Sequence, residues 1–171
     1  ASMFRAAVGE LIIRKQAVRT GPWLHLPEHH PVPGPADLAS WRQIERLIEH
    51  DDLKAPSLSA LAEALKRDSA DVLKTLHRLE TLGFVLGVAN NRFFTLRQAL
   101  KLAGIAERLA TPDEAGGTTL TAAAFREKSG IGRNLTIEVL EYFDRVGLTR
   151  RVGGCRHILR RSTEVLGEVR S

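Results

Sequence analysis

Apolar positions along this chain recur at two spacings, and the order in which those spacings alternate is the first guide to its fold. Leu11-Ile12-Ile13, the polar turn Arg14-Lys15-Gln16, and a second stretch ending in Trp23-Leu24-His25-Leu26 read as a hairpin between Gly9 and Leu26. Such a hairpin usually follows a helix. Only Met3 to Val8 stand before it, so the chain is expected to open near the end of a domain. Pro27, Pro31, Pro33 and Pro35 then crowd into a connector with linker chemistry. Trp41, Ile44, Leu47 and Ile48 fall at helical spacing and predict a helix, which Pro56 and Ser57 interrupt. Leu58, Leu61 and Leu65 predict a short second helix with Ser59 as its N-cap. Asp68 and Asp71 have the spacing of a capping pair, one acceptor at the N-cap and one acid at N3. The helix they open would bury Val72, Leu73, Leu76, Leu79 and Leu82 and end on a left-handed Gly83. Phe84-Val85-Leu86 and Phe93-Phe94 flank Asn90-Asn91, which predicts a hairpin.

The pattern then repeats at an offset of 64 residues: Leu61 matches Phe125, Leu73 Ile137, Leu76 Leu140, Leu79 Phe143, Gly83 Gly147 and Val88 Val152. On the same offset Asn90-Asn91 matches Gly154-Cys155. Three helices, a glycine and a two-stranded wing, in that order, make a winged helix, a relative of helix-turn-helix. Agreement of period, caps and hairpin across two copies carries more than either copy alone. The predicted fold class is therefore α+β, mainly helical, with winged-helix domains in tandem over residues 36–108 and 117–171. A domain remnant and the Pro-rich linker fill residues 1–35.

Composition narrows the function classes. At 171 residues with 43% apolar content, the chain can build one ordinary domain or two small ones. Its aromatic fraction is only 5%, so the core must come mainly from Leu, Ala, Val and Ile. No apolar run approaches the ~20 residues a bilayer requires, and no basic segment leads into an apolar one as in a secretory signal. A cytoplasmic chain is expected, with no membrane partner. The single Cys155 excludes an internal disulfide framework and reads as a tolerated small residue in a turn. His25, His29 and His30 lie in a Pro-rich stretch with no cysteine companion, so no metal site is expected. No Gly-Lys-Ser/Thr phosphate loop occurs, so this chain should bind no GTP and, with no catalytic constellation, should not be an enzyme.

The net charge of +5 matters less than where the charge sits. From Arg145 to Arg161 the chain holds six arginines, His157 and no acid, whereas the equivalent stretch Phe84 to Arg97 holds only Arg92 and Arg97. Two wings of one fold thus differ, and stability cannot require the arginines. Their planar donors suit phosphate, which points to a nucleic-acid-contacting wing. Strand alternation sends Arg150 and Arg151 to opposite faces, and Arg145 can answer the helix dipole or pair with Asp144. A second candidate surface is Gly130-Ile131-Gly132-Arg133-Asn134 at the start of the last domain's third helix. Free N–H groups there attract phosphate, although the glycines serve equally as helix caps. Charge alone leaves DNA and RNA both open.

One stretch separates them. Leu135 through Gly153, with Leu140-Glu141-Tyr142-Phe143-Asp144-Arg145-Val146-Gly147 running into Thr149-Arg150-Arg151, resembles the C-terminal end of the bacterial selenocysteine-specific elongation factors, the SelB family. Trp23-Leu24-His25-Leu26-Pro27 is similar to the end of a preceding winged-helix repeat in that family. The resemblance implies four winged-helix repeats behind a GTPase portion: residues 1–31 would be the tail of the second repeat, 36–108 the third and 117–171 the fourth. It implies that the last repeat grips the SECIS hairpin of a messenger RNA through Gly132, Arg133, Asn134, Arg150, Arg151, Arg156 and His157. It also implies that GTP, magnesium and selenocysteinyl-tRNA belong to an N-terminal part absent from this chain, that the ribosome is a partner, and that the chain is a monomer. A winged-helix DNA-binding regulator is the alternative, although no long apolar helix suggests the dimer such a protein normally needs. The chain departs from its relatives at Asn134, Gly154 and Cys155, and Ser162 to Ser171 extends past the matched part.

Overall fold

The computed structural model describes residues 2–20, 23–28, 32–49, 53–89, 91–112 and 117–167. The predicted α+β, mainly helical tandem of winged helices is what the chain adopts. It opens with helix α1 (Ser2–Ile13), followed by the antiparallel pair β1 (Val18–Thr20) and β2 (Trp23–His25). Leu11-Ile12-Ile13 is thus the end of a helix and not a strand, and the hairpin begins later than its apolar run suggests. Three adjacent apolar residues fit either element. What ends α1 is Lys15 at φ 57, with the amides of Gln16 and Ala17 both returning to the Leu11 carbonyl. His29, His30 and Pro31 lie outside the described residues.

The middle repeat comprises α2 (Pro35–Ile48), α3 (Leu58–Leu65), α4 (Ser69–Thr81), β3 (Val85–Ala89) and β4 (Arg92–Thr95). Pro35 sits at the first position of α2, where a missing N–H costs nothing. The cap of α3 is Ser57, whose hydroxyl accepts from the Ala60 amide at 3.2 Å; Ser59, one residue inside the helix, only meets that hydroxyl. Asp68 caps α4 as its spacing predicts, accepting from the amides of Ala70 and Asp71, while Asp71 turns instead to Arg67. Ile44, Ile48, Leu61, Val72, Leu76, Leu79, Val85 and Phe93 form this repeat's own core, with Leu73 and Leu82 packed at its margin.

Helix α5 (Leu96–Leu109) follows without a break and adds a helix to those the apolar spacing predicts. Its signature was nonetheless present: Thr95 and Gln98 form a capping box, and the buried Gln98 amide donates to the Ile48 carbonyl at 2.7 Å, joining α5 to the end of α2. The last repeat contains β5 (Thr111–Pro112), β6 (Thr118–Leu120), α6 (Ala122–Ser129), α7 (Arg133–Val146), β7 (Thr149–Val152), β8 (Cys155–Ile158) and α8 (Ser162–Leu166). Its sheet runs β5-β6-β8-β7. Cys155 opens β8 opposite Val152 and is therefore not in the turn. Helix α8, in the stretch beyond the resemblance, closes the core with Val165 and Leu166 against α5.

The second apolar core crosses the join between repeats. Phe125, Leu135, Val139, Leu140, Tyr142 and Phe143 of the last repeat share it with Ala99, Leu102, Ala103 and Ala106 of α5 and with Leu86, Val88 and Phe94 of the β3–β4 hairpin. That hairpin is consequently buried on both faces, Val85 and Phe93 inward and Leu86 and Phe94 outward. No helix among the described residues is long and apolar enough to cross a membrane.

Candidate nucleic-acid interface

Helix α7 begins at Gly132, which caps it in extended backbone (φ −66°, ψ 161°) with no side chain to accept from the first-turn amides. Those N–H groups face outward with the positive end of the helix dipole behind them. Gly130 at φ 69 closes α6 and the buried Ile131 pins the loop between the two glycines, so each glycine has its own structural task. Gly132, Arg133 and Asn134 are all exposed. Arg126 and Lys128, in the last turn of α6, are exposed beside them and escaped the sequence reading. Their signal was weak because Glu127 lies between them. Beyond its first turn the outer face of α7 changes character: Ile137 is 44% exposed, and Glu138 and Glu141 follow. An acidic and apolar surface of that kind does not suit the length of a phosphate-lined groove.

The second group of residues sits at the other end of the helix. Gly147 ends α7 at φ 79, and a Cβ there would lie 2.5 Å from the Arg160 guanidinium. Arg160 itself donates to the carbonyls of Val146 and Gly147, so this arginine of the basic run is spent on capping α7. Arg145 is also committed: it lies over the Tyr142 ring and donates to the Val88 carbonyl at 2.8 Å rather than pairing with Asp144. Asp144 is taken by Thr149 and by Arg156, the latter at 3.0 Å. Arg156 is only 8% exposed. This corrects its expected place in the binding surface, because a guanidinium turned inward onto α7 props the wing instead of offering itself to a ligand.

Arg150 and Arg151 are exposed on β7, and both line a shallow depression with Asp144, Gly147, Thr149 and Leu159. His157 is half-buried and pairs across the strands with Arg150. Arg161 is exposed at the start of α8. The seven expected residues therefore divide into three at the start of α7, three on the wing near its end, and Arg156 inside. A helix of this length is about 20 Å long, so a ligand meeting both groups must be extended.

Residues 114–158, which hold both groups, match the family model described as elongation factor SelB, winged helix. The chain is 33% identical over 138 residues to the selenocysteine-specific elongation factor of Escherichia coli, covering 81% of this chain and 21% of that protein. The Haemophilus influenzae factor is 28% identical over 153 residues, 90% of this chain and 24% of the relative. A solved structure of the mRNA-binding domain of elongation factor SelB from E. coli, in complex with SECIS RNA, superposes with a TM-score of 0.62 at 30% identity. It is covered over 99% of its length by 75% of this chain. The chain belongs to the SelB family. It spans between a fifth and a quarter of the length of the curated SelB relatives. The SelB model covers α6, α7 and the β7–β8 wing, the elements that carry both exposed basic groups.

Proposed function

We propose that this chain is the mRNA-hairpin binding region of a selenocysteine-specific translation elongation factor, tethering the factor beside a recoded UGA codon. The observation that carries this reading is the pairing, within one repeat, of an uncapped helix N-terminus bearing Arg133 and Asn134 with a wing whose Arg150 and Arg151 face solvent. Arginines on the wing would contact backbone phosphate bidentately. The first turn of α7 would meet phosphate through its amides, and splayed loop bases through the Asn134 amide and the Arg133 plane. RNA is favoured over duplex DNA because Ile137, Glu138 and Glu141 continue the helix outward, leaving only its tip fit for contact. The solved relative's complex with SECIS RNA supports the same choice. Tethering of this kind raises the local concentration of the cargo near one codon. In this reading GTP, magnesium, selenocysteinyl-tRNA and the ribosome are met by parts of the factor outside the region matched here, and the chain acts as a monomer.

The test is binding at fixed, near-physiological salt to a SECIS-type hairpin, to the same hairpin with altered loop bases, and to duplex DNA. Tight, loop-dependent hairpin binding is expected, weakened about tenfold or more by Arg133→Ala or Arg151→Ala. Arg151→Ala, which removes a phosphate contact, should also reduce the slope of log Kd against log salt by about 0.7 to 0.9. Arg156→Ala should lower stability and leave that slope unchanged. Equal or stronger binding to duplex DNA would favour the DNA-regulator alternative and overturn the proposal.

A further inference from the structure

The middle repeat's wing holds the last repeat's α7 along the helix turns that follow the exposed tip. Three observations meet there. The outward cross-strand pair Leu86–Phe94 is buried in the same core as Leu135, Val139 and Tyr142. A bulge between Gly87 and Ala89 leaves Val88 outside the ladder, and its freed carbonyl accepts from Arg145, three turns into α7. Arg92, on β4, approaches the Glu138 carboxylate at 3.5 Å while donating to the Ala55 carbonyl at 2.8 Å. Glu138 lies one helical turn beyond Asn134.

We infer that the middle wing is an intramolecular dock for the recognition helix, so that both repeats present the binding tip of α7 as one rigid body, with Arg92 and Arg145 as positioning residues. Among the described residues, the strands of the middle wing carry one arginine, Arg92, and the next, Arg97, stands at the start of α5. Arg92 serves this contact, and Arg97 faces Glu49 at 3.2 Å. Its outward face, which the last wing gives to Arg150 and His157, is apolar and covered. The Glu138 side chain is 34% exposed, but its Oε2 is buried without a hydrogen bond, and the Arg92 Nε across the join lies 3.5 Å from that oxygen. The pair opposes sliding of one repeat over the other, because displacement would part the buried oxygen from its guanidinium.

The RNA arm of the following experiment rests on the hairpin-binding reading; the orientation arm does not. In the whole chain, residual dipolar couplings of amides in α4 and α7 would be fitted for the unaltered protein, Arg92→Glu, Glu138→Arg and the double exchange. One shared alignment tensor is expected for the unaltered protein, divergent tensors for each single reversal, and a shared tensor again for the exchange. Hairpin Kd should weaken about tenfold in the single reversals and return to within about threefold in the exchange. Arg145→Met keeps an apolar stem over Tyr142 and loses only the donor. It should weaken binding about threefold with an unchanged salt slope, which a lost phosphate contact would lower. This variant keeps the test informative should a reversal fail to fold. Two independent tensors in the unaltered protein, or reversals that alter neither orientation nor affinity, would overturn the dock. A shared tensor, lost and restored as expected, in a protein that binds no hairpin would uphold the dock and sink the RNA reading alone.

Discussion

Two hairpins of one design meet opposite fates in this molecule. Leu86 stands across from Phe94 in the middle wing, and Arg150 stands across from His157 at the equivalent place in the last. The apolar pair is covered by a neighbouring repeat, whereas Arg150 of the polar pair remains open to solvent. The inward pairs differ as well. Phe93 fills the middle core, and its counterpart Arg156 is buried against Asp144. The helices entering these wings show the same division, Asp68 capping α4 with a carboxylate and Gly132 leaving α7 uncapped. Duplicating a winged helix therefore duplicates a scaffold. Whether a copy binds outside or packs inside is decided by a few outward residues and one cap.

The largest effect should come from emptying the covered wing. Phe94→Ala removes a fully buried ring where two repeats join and should cost about 3–5 kcal/mol in urea unfolding. Val152→Ala in the last wing, at a site 50% exposed, should stay within about 0.5 kcal/mol. Similar losses at both sites would erase the distinction between the wings.

Exchanging the caps sharpens the comparison at smaller cost. Asp68→Ala should destabilise by about 1 kcal/mol. Gly132→Asp should leave stability unchanged or raise it by a few tenths of a kcal/mol while weakening hairpin binding at least tenfold, because a carboxylate would occupy the amides offered to phosphate. Calorimetry and a binding titration on one variant would read both. An unimpaired affinity would show that the tip of α7 is not used.

The smallest effect concerns acid. The hydrogen bond from Arg78 is the main cause holding the Asp37 carboxyl below its ordinary value of 3.8; the Gly34 amide and the charge of Arg78 assist, and burial opposes. A depressed folded value means the pair's contribution is complete above the unfolded carboxyl's value and fades as pH falls through the folded one. Asp37→Asn should thus lower the thermal midpoint at pH 7, with the gap narrowing only below about pH 4. A gap that widened in acid would contradict this pairing of α2 with α4.

Much of the architecture was legible locally. The helical spacing from Val72 to Leu82, the Asp68 cap and the left-handed glycines Gly83 and Gly147 each depend on residues within a turn of one another, so the one-dimensional record suffices. Helix α5 is equally legible in the spacing of Thr95 and Gln98, whereas Leu11-Ile12-Ile13 satisfies a strand as readily as the helix it forms. The bulge at Val88 shows where counting failed. One extra residue in β3 shifts the match from 64 to 63 beyond the bulge, setting Ala89 against Val152, Asn91 against Gly154 and Phe93 against Arg156. With that shift, the inward place of Arg156 could have been read from the repeat itself.

What the sequence determined by itself was therefore the set of elements, their order, their caps and the excess of arginine near the end, because these follow from neighbours along the chain. The tertiary structure alone decided which arginines remain available. Arg145, Arg156 and Arg160 are claimed by Val88, Asp144 and Gly147, while Arg133, Arg150 and Arg151 are left exposed. A guanidinium is bound or free according to which carbonyls and carboxylates folding brings within about 3 Å of it, and for Arg145 the partner comes from another repeat, 57 residues away.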